Sequence, residues 1–591
     1  MENSKHVYFI DFEKHGIRSN GTAARETTDG FISALNDAVA SGYKTVYVPK
    51  GNYLIDGVGE DKMPEYGGGI QFPSNIEVIF HKEAVFKVEP NSSTGYACFN
   101  LENVDNVILR GGCVVGERFE HDYDMNVSPF RRTHEWGYGV HIRGCRNILI
   151  EDMHISDCTG DCIWVPAHGM MNWGDTVYIP SESITIRKCR TEKGRRNNIA
   201  TDGCLGLLID DCDIIKAGGD TIGPQLGIDL EGYAEDGIKY GHPYEINITN
   251  CRFRKNGRGA LNINVSAKVH ATNNFSDDVF SYGYSSDVSI CNNKIINDSG
   301  TVKKYGIDSI RKSSTETGNR AIISGNHVIG FEIGICARGL GVKISNNYLK
   351  DISSIGIYPY LAEEVSVSDN IIDSNCLHVW VRESKDVKIS DNKTKGAANY
   401  FAYRVEASSD VIISDSKSQS KGGIQVLRSR KVVLKDNDLA LIGTDYGIHW
   451  DKQSEVEVLH NTVRDAAMIA IAGNSELYPS IIKGNNIKDC TYLVGLYVNG
   501  GSDHILWDND VSFKGTGSAN GGYGVQLVGT ENAWLMNNKV RVSNGRTLSS
   551  SYESRGSQNT MYINNALQTG KLNSHESDYV NGIIELPFST Q

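Results

Sequence analysis

One spacing governs what this chain can fold into. In the pattern apolar-x-x-Asn-x-apolar, asparagine recurs at Asn326, Asn347, Asn370, Asn392, Asn437, Asn461, Asn485, Asn509 and Asn538, with Ser416 holding the intervening place. From 326 to 509 the steps are 21, 23, 22, 24, 21, 24, 24 and 24 residues. A near-constant period of about 22 residues marks a stack of repeats, each too small to bury a core alone. Beside each step the sequence alternates, as in Val342-Lys-Ile344, Val365-Ser-Val367 and Val387-Lys-Ile389. Alternation puts every second side chain of a strand inside. A repeat of this length divides into three short strands and three turns, so each is read as one coil of a solenoid. An asparagine kept at one turn has two uses: it tolerates the left-handed backbone of a corner, and its amide can hydrogen-bond the coils above and below.

Upstream the same position is taken by cysteine, in Ile186-Arg-Lys-Cys189, Ile209-Asp-Asp-Cys212-Asp-Ile214 and Ile248-Thr-Asn-Cys251-Arg-Phe253, before Asn293 resumes the series. There the steps from Gly112 through Met153 to Asn326 are 41, 36, 23, 39, 42 and 33 residues. The excess is expected to leave the coils as loops between 112 and 326. With 62 Gly and 39% apolar residues, the chain suits many short strands joined by tight turns. The expected fold is all-β: a right-handed parallel β-helix spanning 45–544. An open end needs a cover, and residues 1–44 supply it as an N-terminal segment and short capping helix. That helix is placed at residues 28 to 41, with Thr28 or Asp29 as N-cap, Phe31, Leu35 and Val39 on one face, and Gly42 ending it. The polar stretch 545–591 is expected to form a C-terminal cap with oligomer contacts.

The net charge of −13 disfavours a nucleic-acid partner without a basic face to offset it, and none is evident. No window approaches a membrane-spanning apolar run, and the charged N-terminus has no apolar core of a Sec signal peptide. The 13 cysteines follow the repeat and not a metal pattern; Cys158-x-x-x-Cys162 has no matching pair downstream. They are read as inward-facing core thiols, which implies folding in a reducing compartment.

The segment T-T-D-G-F-x-x-A-L-N-x-A, followed by V-Y-V-P-K-G-N-Y-L-I, resembles the first coil of the pectate-lyase-like superfamily, most of all bacteriophage tailspikes and neck appendages. The resemblance covers about residues 10 to 540. It implies a virion-attached, homotrimeric protein that meets a carbohydrate polymer at the host surface after lysis. Lyases, hydrolases and esterases share this scaffold, so the scaffold alone does not select the chemistry.

The chemistry is sought in the long coils. Three segments align after the ladder corner: Cys162-Ile-Trp-Val, Asn198-Ile-Ala-Thr-Asp202 and Gly227-Ile-Asp-Leu-Glu231. With Ile163, Ile199 and Ile228 inward, Trp164, Asp202, Asp229 and Glu231 point outward on one face. Asp202 and Glu231 then share a rank on neighbouring rungs, about 5 Å apart, and Asp229 and Glu231 lie roughly 6.5 to 7 Å apart along one strand. These spacings bracket the two carboxylate separations of glycosidases. Asp161, with Asp157 near it, adds a fourth carboxylate; its segment T-G-D-C-I resembles the G-D-[DG]-[CG]-I stretch of β-helix hydrolases such as polygalacturonases, although their downstream R-I-K element is missing. G-R-R-N-N-I-A followed by P-Q-L-G-I-D-L-E resembles a motif pair of tailspike-like β-helices, which points to Asp229 and Glu231. Arg195 and Arg196 are candidates for binding an acidic group of a glycan.

The insertion at residues 116 to 141 is rich in His, Arg and aromatics. Trp136, Tyr138 and Trp164 are candidates for stacking on sugar rings, against the plainer reading of packing under loops; His141 and His134 are candidates for polarising substrate or for capping the loop. Further on, His378, Trp380 and Arg382, or His449 and Trp450, are either secondary glycan subsites or packing residues. The favoured function is a polysaccharide depolymerase of the glycoside-hydrolase type, without a metal or cofactor, acting on a cell-surface glycan or teichoic-acid-like polymer. The alternatives are a lyase, with Asp202, Asp229 and Glu231 holding Ca²⁺, a free bacterial enzyme, and a glycan-binding fibre without catalysis.

Overall fold

The computed structural model describes residues 7–59, 68–169, 177–219, 222–232, 242–310, 320–396, 401–443, 445–491, 493–514, 522–543 and 546–587. Its strands pair in parallel, coil on coil, as the repeat requires. Two compact units make up the chain, one of residues 1–301 with 318–321, the other of 302–317 with 322–591.

In the first unit, helices α1 (Phe12–His15) and α2 (Ala24–Ala40) close the N-terminal end. The capping helix begins four residues ahead of Thr28. Its N-cap is Ala23, and Thr28 is buried inside it, donating to the Ala24 carbonyl at 2.7 Å and accepting the Asp56 amide at 2.9 Å. Phe31 and Leu35 are buried as expected, with Ala34 and Ala38 beside them; Val39 is only half-buried. Phe31 meets Tyr53 and Phe86 at ring distances of 5.1 and 5.5 Å, joining the cap to the coil interior. Gly30 of the T-T-D-G-F segment is there for want of space: a Cβ would stand 2.3 Å from the His15 carbonyl oxygen.

The functional face of this unit is built from β1 (Trp136–Arg143), β2 (Ile163–Val165), β3 (Ile199–Thr201), β4 (Leu226–Glu231), β5 (Gly259–Asn264) and β6 (Phe280–Gly283). The register pairs Val140, Ile163, Ile199, Ile228, Leu261 and Phe280 in one inward column, each fully buried. The step of 42 residues after Cys251 hides a whole coil: Asn274 occupies the corner, accepting the Cys251 amide at 2.9 Å and donating to Asn293 at 3.0 Å.

In the second unit the asparagine series is a hydrogen-bonded ladder. Asn347 donates from Nδ2 to Asn370 Oδ1 at 3.0 Å and to the Ile323 carbonyl at 2.9 Å. Such bonds recur to Asn538, which donates in turn to Asn565 at 3.0 Å. The coils therefore continue past 544, with strands at Ser550–Arg555, Met561–Leu567 and Tyr579–Glu585. The ladder asparagines do not adopt the left-handed conformation expected of them. That backbone belongs to the residue just before each, such as Asn346 (φ 57°), Asp369 (φ 56°) and Asp391 (φ 58°). The corner turns on the exposed residue so that the buried amide can stay in register with its neighbours.

The cysteines at ladder positions serve the same carbonyls. Cys212 Sγ donates to Ile186 O at 3.6 Å and Asp210 O at 3.3 Å, and Cys251 to Ile209 O and Thr249 O at 3.6 and 3.2 Å. All 13 thiols are free, and 11 are buried. No helix among the described residues is long and apolar enough to cross a membrane.

Candidate active site

The outward columns of the first unit gather the sequence-derived candidates. Trp164, Ala200 and Asp229 are paired across β2, β3 and β4. Asp202 and Glu231 follow one residue after the paired Thr201 and Leu230, so they stand on adjacent rungs. Facing away from the interior does not expose them. Trp164, Asp202 and Asp229 are 8%, 6% and 2% exposed, whereas the Glu231 side chain keeps 38%. The expected open face is therefore covered, and Glu231 is its most accessible acid.

Arg196 lies among the carboxylates. Its guanidinium is 3.8 Å from Asp161, 3.8 Å from Glu231 and 3.4 Å from Glu135. Glu135 comes from the 116–141 insertion and is not among the residues that the sequence singles out. Nothing in its local sequence marks it apart from its place beside Trp136. Asp161 is fully buried; one oxygen accepts the Asn197 amide at 2.8 Å, and the other makes no hydrogen bond among the described residues. Asp229 accepts from the Asn262 amide at 2.9 Å, which is itself fixed by the Ser281 hydroxyl at 3.0 Å. Asp202 accepts the Trp164 indole N–H at 2.5 Å.

Burial dominates the electrostatics. Removal from water pushes the Asp161 carboxyl up to about 6 against the pull of Arg196. Burial, then the charge of Glu231, raises Asp229 to about 7 and Asp202 to about 8. Taking a carboxylate out of water disfavours its charged form, and like charges add to the effect. Burial thus favours the protonated form of Asp202 at neutral pH, as a general acid requires.

The aromatic candidates pack on one another. Tyr138 stacks on Trp164 at 4.6 Å, and His141 stacks on Trp164 at 5.2 Å with 11° between planes. Trp136 lies under the Arg131 guanidinium at 4.3 Å and beside Phe130 at 5.3 Å. Tyr138 and His141 are fully buried, so they line the floor and offer no free stacking face. Rung spacing close to ring thickness favours this over solvent-facing rings. Burial, then Arg143, pushes the His141 imidazole down to about 3, which leaves it neutral; it meets Asn100 at 3.1 Å.

Arg195 departs from its expected role. It donates to the Thr133 carbonyl at 2.6 Å and lies over Tyr123 at 4.3 Å, pinning the insertion. His134 is also structural: Glu117, His121 and His134 form a buried chain with two links of 2.8 Å, ending on the Asp124 carbonyl at 2.8 Å. For the calcium-dependent alternative, the Arg196 cation occupies the space among the acids, and no group of three His, Cys, Asp or Glu among the described residues is arranged to hold a metal ion.

Residues 113–284 match the family described as "Right handed beta helix region", and residues 350–512 match "Periplasmic copper-binding protein (NosD)". The SPbeta prophage-derived uncharacterized protein YorA of Bacillus subtilis is 47% identical over 95% of this chain and 96% of its own length. Protein YclG of the same organism is 30% identical over 86% of this chain and 88% of its own. The preneck appendage protein of Bacillus phage PZA is 25% identical over 40% of this chain and 22% of its own. With near full-length coverage on both sides, the chain belongs to the family of YorA and YclG, and its own fold is the right-handed parallel β-helix.

Proposed function

We propose that the chain is a glycan-cleaving hydrolase in which Asp202 donates the proton and Glu231 is the nucleophile. The observation that carries this reading is the pairing on adjacent rungs of a buried carboxyl held up to about 8 with a half-exposed carboxylate beside Arg196. Asp202 would protonate the glycosidic oxygen as its bond to the anomeric carbon breaks. Glu231 would attack that carbon, and water would then release the sugar, returning the proton to Asp202. The rung spacing of about 4.8 Å is near the short carboxylate separation of retaining enzymes. Arg196 would hold the Glu231 carboxylate in place. The phage-appendage and prophage-derived names among its relatives support a place on a virion, where the chain would act as a homotrimer on a carbohydrate polymer of the host surface.

The test is release of reducing ends from a panel of capsular polysaccharides, teichoic acids and pectins, with Asp202→Asn and Glu231→Gln alongside. Loss of about 10²-fold or more in either variant is the expected result. An unsaturated-sugar chromophore in the product would indicate a lyase. Binding without product would indicate an adhesin.

A further inference from the structure

A second surface, in the unit of residues 302–317 and 322–591, has the makings of a ligand site of its own. Among the downstream candidates, Trp450 is fully buried and bonds Ser475 at 2.8 Å, and His378 is buried against the Ser374 carbonyl. The Trp380 neighbourhood differs. Tyr358 and Tyr360 stack at 5.3 Å with 3° between planes, and Trp380 lies 5.2 Å from Tyr358. Arg338 and Arg382 flank Tyr360 at 5.8 and 5.5 Å, and Arg404, paired with Trp380 across the next rung, lies 5.2 Å from the indole.

Each of these cations already has a carboxylate. Arg338 pairs with Asp308 at 2.8 Å, Arg382 with Glu383 at 3.0 Å and Arg404 with Glu406 at 3.1 Å. The surface is aromatic and rich in donors, yet balanced in charge. Two donors remain over: Trp380 Nε1 and Arg404 Nε are buried and make no hydrogen bond among the described residues. Buried N–H groups are nearly always satisfied, and an outside acceptor would reach this pair on adjacent rungs as the partly exposed Arg404 side chain shifts. Immediately after Tyr360 and Arg382 in sequence, a groove of about 620 Å³ opens along the corner, lined in part by Leu361, Glu383, Ser384, Ala407 and Arg428. Its volume is in the range of small-molecule sites.

We infer that this face binds a segment of uncharged oligosaccharide, at a site separate from the carboxylate cluster. Sugar oxygens accept from the two leftover N–H groups, and the C–H faces of the rings pack against the tyrosines and indole. A polyanion would have to displace the paired carboxylates from Arg338, Arg382 and Arg404. The inference does not depend on hydrolysis elsewhere in the chain.

Full-length Glu231→Gln protein serves as the host for the test, so that cleavage cannot consume the probe. Binding is measured by calorimetry with maltoheptaose, cellohexaose and chitohexaose, and with hexagalacturonate and poly(glycerol phosphate) as charged probes. At least one neutral oligosaccharide is expected to bind, with affinity little changed by high salt. Trp380→Phe, which keeps the ring and removes the N–H, and Arg404→Met are each expected to weaken it about tenfold. Addition of Asp202→Asn is expected to leave it unchanged. Binding of the charged probes alone, no binding of any neutral probe, or undiminished binding in both Trp380→Phe and Arg404→Met would overturn the inference. Loss of reducing-end release in wild type with retained binding would count against the hydrolase and leave this site standing.

Discussion

The Trp164 indole donates its N–H to Asp202 across two adjacent rungs at 2.5 Å. That bond favours the ionised carboxylate and opposes the burial that raises it. Trp164→Phe keeps the stacking with Tyr138 and removes the donor. The Asp202 pKa is then expected to rise further, moving the alkaline limb of the pH–rate profile to higher pH. A limb that stays in place in the variant would show that Asp202 is not the group that must be protonated.

Folding stability is expected to fall as pH rises through the neutral range. An aspartate in an unfolded chain titrates near 3.9, while Asp161, Asp229 and Asp202 titrate at about 6, 7 and 8 when folded. Below about pH 4 both states hold these protons and the folded state has its full advantage. As pH rises, the unfolded chain releases them first, so stability declines until the folded groups have ionised near pH 8. Each pH unit that separates the folded from the unfolded titration of a group corresponds to about 1.4 kcal/mol. Thermal melts of Asp202→Asn against wild type should differ most at pH 8 to 9, with the variant the more stable there. A difference that does not grow with pH would contradict the assignment.

Arg196→Met should destabilise the fold and abolish activity together. It removes the cation from among Glu135, Asp161 and Glu231 and leaves the buried Asp161 carboxyl facing two partly exposed ones. Breaking a fully buried pair costs about 3–5 kcal/mol, and the partial exposure of Glu135 and Glu231 places the loss here below that range. Chemical denaturation would show the loss. Partial recovery at acidic pH, where the acids are neutral, is expected because the repulsion vanishes with their charge.

The ladder offers a graded series. Asn370 donates to Ile344 O, Ser368 O and Asn392 Oδ1 at 3.0, 2.9 and 3.0 Å, and accepts from Asn347. Asn370→Ala leaves several buried groups unsatisfied and should cost about 3 kcal/mol or more. Asn370→Ser should cost less, because Ser416 already holds such a position, accepting the Asn392 amide at 3.2 Å. Urea midpoints would rank the three proteins, and an alanine variant as stable as wild type would remove the ladder from the account of stability.

The coil period and the inward column are legible because they depend on alternation, which local sequence records directly. Alternation alone puts Ile163, Ile199 and Ile228 in one register, and the structure pairs them so. Asn274 escapes notice because Cys251 and Asn293 bracket it within a long step that resembles a loop. The left-handed residue lies one position before the asparagine expected to hold it, since burial of the asparagine amide and backbone handedness both mark the same corner. At the site, strand direction can be read and long-range contact cannot: what brings Glu135 to Arg196 is an insertion some 60 residues earlier in the chain. Adjacent Arg195 and Arg196 diverge, one into loop carbonyls and one among acids, a difference that composition does not carry.

Within the second unit, Asn347 and Asn370 each give one side-chain hydrogen to the next asparagine oxygen and another to a carbonyl of the coil before. Apart from the Ser416 rung, each therefore presents to the next the same socket that it fills itself. Removal or duplication of a whole period, such as the stretch from Asn347 to Asn370, would rejoin a donor to an equivalent acceptor, whereas a change of a few residues inside a strand would not. A gene built this way can vary in length by whole coils, so copies of different reach remain interchangeable parts of one design.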